Sequence, residues 1–448
     1  MSTVESQAAA VSVPALKVAY YGDDFTGATD TLATAALAGL RSLLFLGLPT
    51  PAQLARAGAL DCLGIAGAAR AMSPQEMQAE LAPVGALFNQ LGAPVIHYKT
   101  CSTFDSAPHV GSIGAAVSIL KRHAGHPLVA IVGGQPNLRR YCVFGNLFAG
   151  AGSASGISRI DRHPTMSRHP VTPMHEADLR LHLAQQGLET VLSLDYTAYA
   201  QPASALDETL DALLGQQPDA VLFDVGDANH LASVGRLLWT RAQQQPLLAA
   251  GPSSVVQALA AHWASHSTAA DAPRPAPIAA ADGPVFVLAG SLSPMTARQM
   301  KAATSFEQRL LDAARLATDS AYRAQMAVQI AALLGEGRHV LAATSSDSAA
   351  PDDQTDGRAL AMACGDLLAQ VLKRQPLRRL GIAGGDTSSH SVQALDAWGL
   401  SYQAQLAPGV ALCRLHSDDD TLDGLEIMLK GGQMGSENLF EDLLSGKA

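Results

Sequence analysis

Residues 16–30 read LKVAYYGDDFTGATD: an apolar run at 16–21 meets Gly22 and two adjacent aspartates, and Thr-Gly-Ala then opens an alanine-rich stretch, 28–40. The run suits a buried strand and the stretch a helix. The carboxyl end of a strand is where open α/β sheets bind ligands. Asp23 and Asp24 leave such a turn in different directions. One can then face a cleft as a base or hydroxyl acceptor while the other caps the helix or orients its neighbour. The alternative is an N-cap beside a second, satisfied acid.

Outward from this motif the same rhythm recurs. Short apolar runs at 42–48, 128–133, 190–194 and 220–225 alternate with alanine- and leucine-rich segments of helical length. Residues 265–284, SHSTAADAPRPAPIAAADGP, carry four prolines among small residues and read as a linker. Beyond it come a run at 285–290, helical stretches at 296–317 and 320–335, and strands near 339–343 and 379–383. The reading is α/β throughout: two α/β domains, 14–264 and 285–448, with largely parallel sheets and an active-site cleft between them.

The composition narrows the function classes. A chain of 448 residues with 48% hydrophobic and only 16% charged residues has enough apolar surface for large cores and for subunit packing, so a homo-oligomer is expected. A net charge of −10 argues against nucleic-acid binding. Cysteines at 62, 101, 142, 364 and 413 form no CxxC pair and suit a reducing compartment. Glu5 stands where a basic leader would be, and Arg41 interrupts the most apolar stretch, so neither a signal peptide nor a spanning helix is expected. A cytoplasmic protein is the reading.

A second motif, HYKTCSTFDS at 97–106, ends a strand in Lys99 and continues with hydroxyls and an acid before a helix start. A lysine and hydroxyls at a helix N-terminus suit a small carboxylate or polyhydroxy acid; a solvated Ser/Thr turn is the alternative. Cys101 invites a nucleophile reading, but inert cysteine is the commoner case. The stretch 159–183 carries His163, His169 and His175 among prolines, a spacing that fits no metal signature. It reads as an ordered loop shaping a pocket wall or a subunit contact.

In the second half, AGSLSPMT (289–296), IAGGDTSSH (382–390) and LKGGQMG (429–435) are glycine-rich, with APGV at 407–410. Such loops let backbone N–H groups approach phosphate oxygens, and Ser or Thr adds donors without bulk. None is a Walker loop, yet three in one domain indicate a nucleotide site. The acids of SDDD, 417–420, read as a solvated loop rather than a metal cluster.

Taken together, GDDFTGATD, YKTCSTFDS, HPVTPMHEADLR, AGSLSPMTARQ, GGDTSS, PGV and KGGQMGSENLF resemble the four-carbon acid sugar kinase family from about residue 14 to 442. The resemblance implies an N-terminal domain for an acid sugar, a C-terminal domain for ATP with Mg²⁺, and phosphorylation at O4 of an acid such as threonate, erythronate or 3-oxo-tetronate. It implies Asp24 and Asp23 as catalytic candidates, with Asp24 the aligning or basic group, and Lys99, Ser102, Thr103 and Asp105 as substrate candidates. Ser291, Gly384, Gly385, Asp386, Thr387, Gly431, Gly432 and Gly435 become ATP-site candidates. Ala411 and Met434 depart from the family's usual proline and aromatic residue. The rival readings are a ribokinase-like sugar kinase, a kinase for another small hydroxy acid, and a nucleotide-regulated binding protein without catalysis.

Overall fold

The apolar run at 16–21 becomes β1, Val18–Gly22, whose five residues are all buried. It turns at once into the Phe25–Leu37 helix. Small residues make so abrupt a turn possible: a Cβ on Gly22 would collide with Ala28, and Tyr20 donates its hydroxyl to the Ala28 carbonyl at 3.0 Å. The computed structural model describes residues 16–150, 156–169, 171–265, 277–290, 293–345 and 357–447. Ser291 and most of the expected linker, 266–276, lie outside them.

The remaining strands of the first half are β2 Ser42–Phe45, β3 Cys62–Ala66, β4 Val95–Lys99, β5 Val129–Gly133, β6 Arg140–Val143, β7 Asn146–Gly150, β8 Ile157–Arg159, β9 Val191–Leu194, β10 Ala220–Asp224 and β11 Leu247–Gly251. The second half adds β12 Val285–Ala289, β13 Glu307–Asp312, β14 Val340–Ser345, β15 Arg379–Ala383, β16 Gly399–Ala407, β17 Val410–His416 and β18 Glu426–Lys430. β6, β7 and β8 form a small antiparallel sheet.

The other strands join one 15-stranded sheet in the order β13-β14-β12-β15-β18-β17-β16-β2-β3-β1-β4-β11-β5-β10-β9. The two halves are mostly parallel and are α/β, as expected. They do not hold separate sheets, however. β16 and β17 form a hairpin, and β16 pairs antiparallel with β2 through Gly399↔Phe45 and Leu400↔Leu44. Phe45, fully buried, faces Trp398 at 6.1 Å between ring centroids. Burying a side chain of this size is worth about 1.5–3 kcal/mol, and on the opposite face of the sheet one core continues from Leu32 and Leu44 to Leu400 and Leu415.

The stretch 296–317, read as one helix, is instead the Pro294–Ala302 helix, the strand β13 and a short Ala313–Thr318 helix. Helical periodicity yields because EQRLLD alternates exposure and pairs in parallel with β14 at the sheet's edge. The glycine loop at 429–435 follows a strand, β18, and APGV is the β16–β17 turn, with Gly409 at φ 75°.

Candidate active site

Where the carboxyl ends of β1 and β4 meet those of β15 and β18, a cavity of about 290 Å³ opens between the halves. Asp24, Lys99, Ser102, Thr103 and Asp105 line it from the first half, and Gly385, Asp386, Gly431 and Gly432 from the second. The two sets are in contact range. A Cβ on Gly385 would lie 3.8 Å from Asp24 Oδ2, and Phe25 N–H donates to Ser389 Oγ at 3.4 Å.

Asp24 both faces the cavity and caps the Phe25–Leu37 helix, two roles that the sequence divided between neighbours. Its Oδ1 accepts from Gly27 N–H at 2.5 Å and its Oδ2 from the Thr26 hydroxyl at 3.2 Å. Asp23 is not among the cavity-lining residues; Arg70 holds it through Nη2 at 2.8 Å and Nε at 3.3 Å. Arg70 also reaches Asp24 Oδ2 through Nη1 at 2.5 Å. One guanidinium therefore spans two buried carboxylates.

The pair separates electrostatically. Burial pushes the Asp23 carboxyl above its ordinary range, partly offset by Arg70. For Asp24 burial pushes the same way, but Arg70, Lys99 and the bonds from Gly27 and Thr26 outweigh it and hold the group below the ordinary range. Asp24 stays a carboxylate at neutral pH. Lys99 Nζ donates to the Thr100 carbonyl at 2.6 Å and packs over the first helical turn, so closely that a Cβ on Gly27 would strike it.

The loop after β4 carries the other candidates in a constrained conformation. Phe104 sits at φ 55°, a region costly for a bulky residue. His182 Nε2 holds the loop by contacts to the Phe104 carbonyl at 3.1 Å and Ser106 Oγ at 2.9 Å, and Gln186 donates to Ser106 Oγ at 2.8 Å. Thr103 donates to Asp105, and Cys101 Sγ lies 2.9 Å from Thr103 Oγ1. Burial raises the Cys101 thiol to about 11, which makes it a poor nucleophile.

Several cavity residues were not singled out from sequence. Arg70 follows β3 in GAARA, and Gln135 and Arg140 follow β5 in GGQPNLRR. Each stands after the end of an apolar run, and that position was the available signal. Gln135 donates to Asp30 at 3.0 Å, and Asp30 also accepts from Ser253 Oγ at 2.5 Å. His169 of the proline-rich loop joins the cavity wall, and the neighbouring Thr172 N–H donates to its Nδ1 at 3.1 Å.

On the opposite wall, Gly384 (φ 125°) passes the chain from β15 into the Gly385–Gln393 helix without a side-chain cap, leaving first-turn N–H groups available. The Gly431–Gly432 turn is pinned from behind: Ser293 and Thr296 hydroxyls donate to the Gly432 carbonyl, Thr296 at 3.1 Å. Lys430, fully buried, donates to Thr296 Oγ1 at 2.9 Å, and burial lowers its ammonium to about 7. Gln299 donates to the Met434 and Ser436 carbonyls and shapes the turn at Gly435.

Gly384, Thr387 and Gly435 are not cavity-lining; Thr387 instead packs on Gly290, where a Cβ would strike its hydroxyl. Met434 lines the cavity and lies against Gly409. Among the described residues no group of three His, Cys, Asp or Glu is arranged to hold a metal. Asp24 and Asp386 are carboxylates on facing walls, a donor set that suits a hard cation held mainly by phosphate oxygens and water. No helix among the described residues is long and apolar enough to cross a membrane.

The sequence matches the sugar-binding N-terminal domain family over residues 18–259 and the nucleotide-binding C-terminal domain family over 286–440. It is 39% identical to a 3-oxo-isoapionate kinase of Paraburkholderia graminis, over 96% of this chain and 95% of the relative. It is 31% identical to a 3-oxo-tetronate kinase of Cupriavidus necator, over 94% and 95% of the two chains. Among solved structures, one titled a putative tRNA synthase from Salmonella typhimurium superposes with a TM-score of 0.76 at 24% identity, covering 95% of this chain and 98% of the other. That likeness bears on the fold alone.

Proposed function

The chain belongs to the four-carbon acid sugar kinase family, and from that premise we propose that it moves the γ-phosphoryl group of ATP to a terminal hydroxyl of a 3-oxo sugar acid. It is a sugar-acid kinase. Its higher identity to the isoapionate enzyme puts 3-oxo-isoapionate first among the acids, with 3-oxo-tetronate, phosphorylated at O4, next. The observation that carries the reading is the approach of two helix starts from different halves, with Asp24 on one and Gly385 on the other, 3.8 Å from carboxylate oxygen to Cβ position.

Phosphoryl transfer asks chiefly for alignment and charge neutralisation. In this reading Asp24 Oδ2 accepts the hydrogen bond of the attacking hydroxyl. Because Arg70 and Lys99 help keep Asp24 ionised, it orients the hydroxyl early and takes the proton late, as the new P–O bond makes that proton acidic. Lys99 and the uncapped start of the Gly385–Gln393 helix face the migrating phosphoryl group, and the Gly431–Gly432 turn borders the rest of the phosphate tail. Magnesium, when bound, would supply further neutralisation of phosphate charge. Side chains from both halves enclose the site and keep water from competing as acceptor.

The test is ADP release from ATP and Mg²⁺ with 3-oxo-isoapionate, 3-oxo-tetronate, threonate and erythronate, followed by product identification. The two 3-oxo acids should be turned over best and carry phosphate on a terminal oxygen. Ligand-induced thermal shifts with no ADP release from any acid would instead favour a non-catalytic binding protein.

A further inference from the structure

The cavity contains three strong cations, and their bonding differs. Arg70 is committed to Asp23 and Asp24. Lys99 lies over the first turn of the Phe25–Leu37 helix, beside Asp24. Arg140 enters no ion pair among the described residues; its bonds run from one nitrogen, Nη1, to the Leu138 carbonyl at 2.6 Å and the Gly150 carbonyl at 3.2 Å. Its Nε is buried and has no partner among the described residues.

Those two carbonyls fix the guanidinium plane and leave its other edge, Nε with Nη2, without a partner among the described residues. That edge is a two-pronged donor whose spacing matches a carboxylate. An unsatisfied buried donor carries a cost that an arriving acceptor removes. The acids that act on them also differ in order: Asp105 is the one that acts on Arg140, whereas Arg70 is acted on first by Asp23 and Asp24 and only then by Asp105. Arg140 therefore belongs to the Cys101–Asp105 end of the cavity, and Asp24 to the end facing Gly385.

We infer that Arg140 is the specificity-determining anchor for the substrate carboxylate, gripping it side-on so that the far terminal hydroxyl points at Asp24. The inference rests on the sugar-acid reading above and adds a direction to it. It moves the carboxylate from Lys99, the anchor expected from sequence, to Arg140, and leaves Lys99 for the phosphoryl group. Burial holds the Arg140 guanidinium below its ordinary range, in keeping with a cation awaiting a counter-ion.

Calorimetric titration of 3-oxo-tetronate into the full-length protein without nucleotide tests this, with erythrulose as the neutral comparator in which CH₂OH replaces the carboxylate. Arg140→Gln should weaken binding of the acid about 10- to 100-fold, the value of a charge-assisted pair. It should change erythrulose binding less than about threefold, leave the KM for ATP unaltered, and raise the KM for the acid far more than it lowers kcat. Arg140→Lys, which keeps the charge and loses the fork, should fall between. Acid affinity unchanged in a folded variant overturns the inference. If both variants unfold, the wild-type complex with the acid decides: a carboxylate on Arg140 Nε and Nη2 supports it, and one on Lys99 refutes it. Acid binding lost in Arg140→Gln with no turnover in wild type would sink the kinase reading and leave the anchor standing; a wild-type protein that binds no acid would sink both.

Discussion

Replacing Asp24 by asparagine probes the proposed reacting end of the cavity while sparing the fold. The side chain has two jobs on two oxygens: Oδ1 accepts from Gly27 N–H at 2.5 Å, and Oδ2 meets Thr26 and Arg70. Asparagine keeps the first, being about as good an N-cap as aspartate. It loses the second, placing an amide N–H₂ where Oδ2 stood. Stripping a buried ion of its partner usually costs about 3–5 kcal/mol, but Arg70 retains two bonds to Asp23, so a loss nearer 1–2 kcal/mol is expected. Removing the acceptor at the attacking hydroxyl should lower kcat about 10²- to 10⁴-fold. The KM for ATP should move little, because the loops proposed to hold the nucleotide come from the other half. Coupled ADP-release kinetics beside a thermal melt separate the two effects. A folded Asp24→Asn enzyme with kcat within about fivefold of wild type would refute this assignment of Asp24.

Other substitutions test the surroundings. Arg70→Met leaves Asp23 and Asp24 without their shared guanidinium, a loss of about 3–5 kcal/mol at pH 7. Asp23, already raised by burial, then binds a proton more readily folded than unfolded, so the deficit should shrink in denaturant titrations as pH falls toward 4.5, and a pH-independent deficit would count against the pairing. Gly27→Ala puts a methyl group against Lys99 Nζ and Asp24 Oδ1; kcat should drop at least tenfold while alanine's helix preference, up to about 1 kcal/mol, holds the melting temperature. Lys430 releases its proton near pH 7 when folded and near 10.5 when unfolded. The unfolded chain thus binds more protons across that window and wild-type stability rises with pH through it. Lys430→Met should flatten that rise, as unfolding midpoints at pH 7 and 9 would reveal.

What the sequence discloses is local. The strand, Gly22, the aspartate cap and the helix of residues 18–37 follow from adjacent residues, so the motif is read correctly where it stands. Lys99 and the Ser102–Asp105 hydroxyls and acid are legible for the same reason, as a strand end leading into a loop. Arg70 is not, because its partners stand in the turn after β1, and only the parallel pairing of β3 with β1 brings the ends of those strands together. The division of labour between Asp23 and Asp24 likewise depends on where Arg70 arrives. Arg140 needs the turn after β5 and the Gly150 carbonyl from β7 to fix its plane. The shared sheet was hidden because β2 and β16 lie more than three hundred residues apart, and nothing in SLLF marks it for antiparallel pairing with a strand of the other half. Glycine patterning located the loops of the cavity's second wall, but whether a glycine lines the cavity, as Gly385 does, or only permits a turn, as Gly435 does, is decided by packing.

The account depends on donor and acceptor meeting between Asp24 and Gly385. A crystal structure of the protein with a non-hydrolysable ATP analogue, Mg²⁺ and the preferred acid measures this directly. The terminal phosphate should lie at the start of the Gly385–Gln393 helix beside the Gly431–Gly432 turn, with the acid's terminal hydroxyl within hydrogen-bonding distance of Asp24. A nucleotide bound away from these loops, or an acid whose hydroxyl groups all lie remote from Asp24, would contradict it.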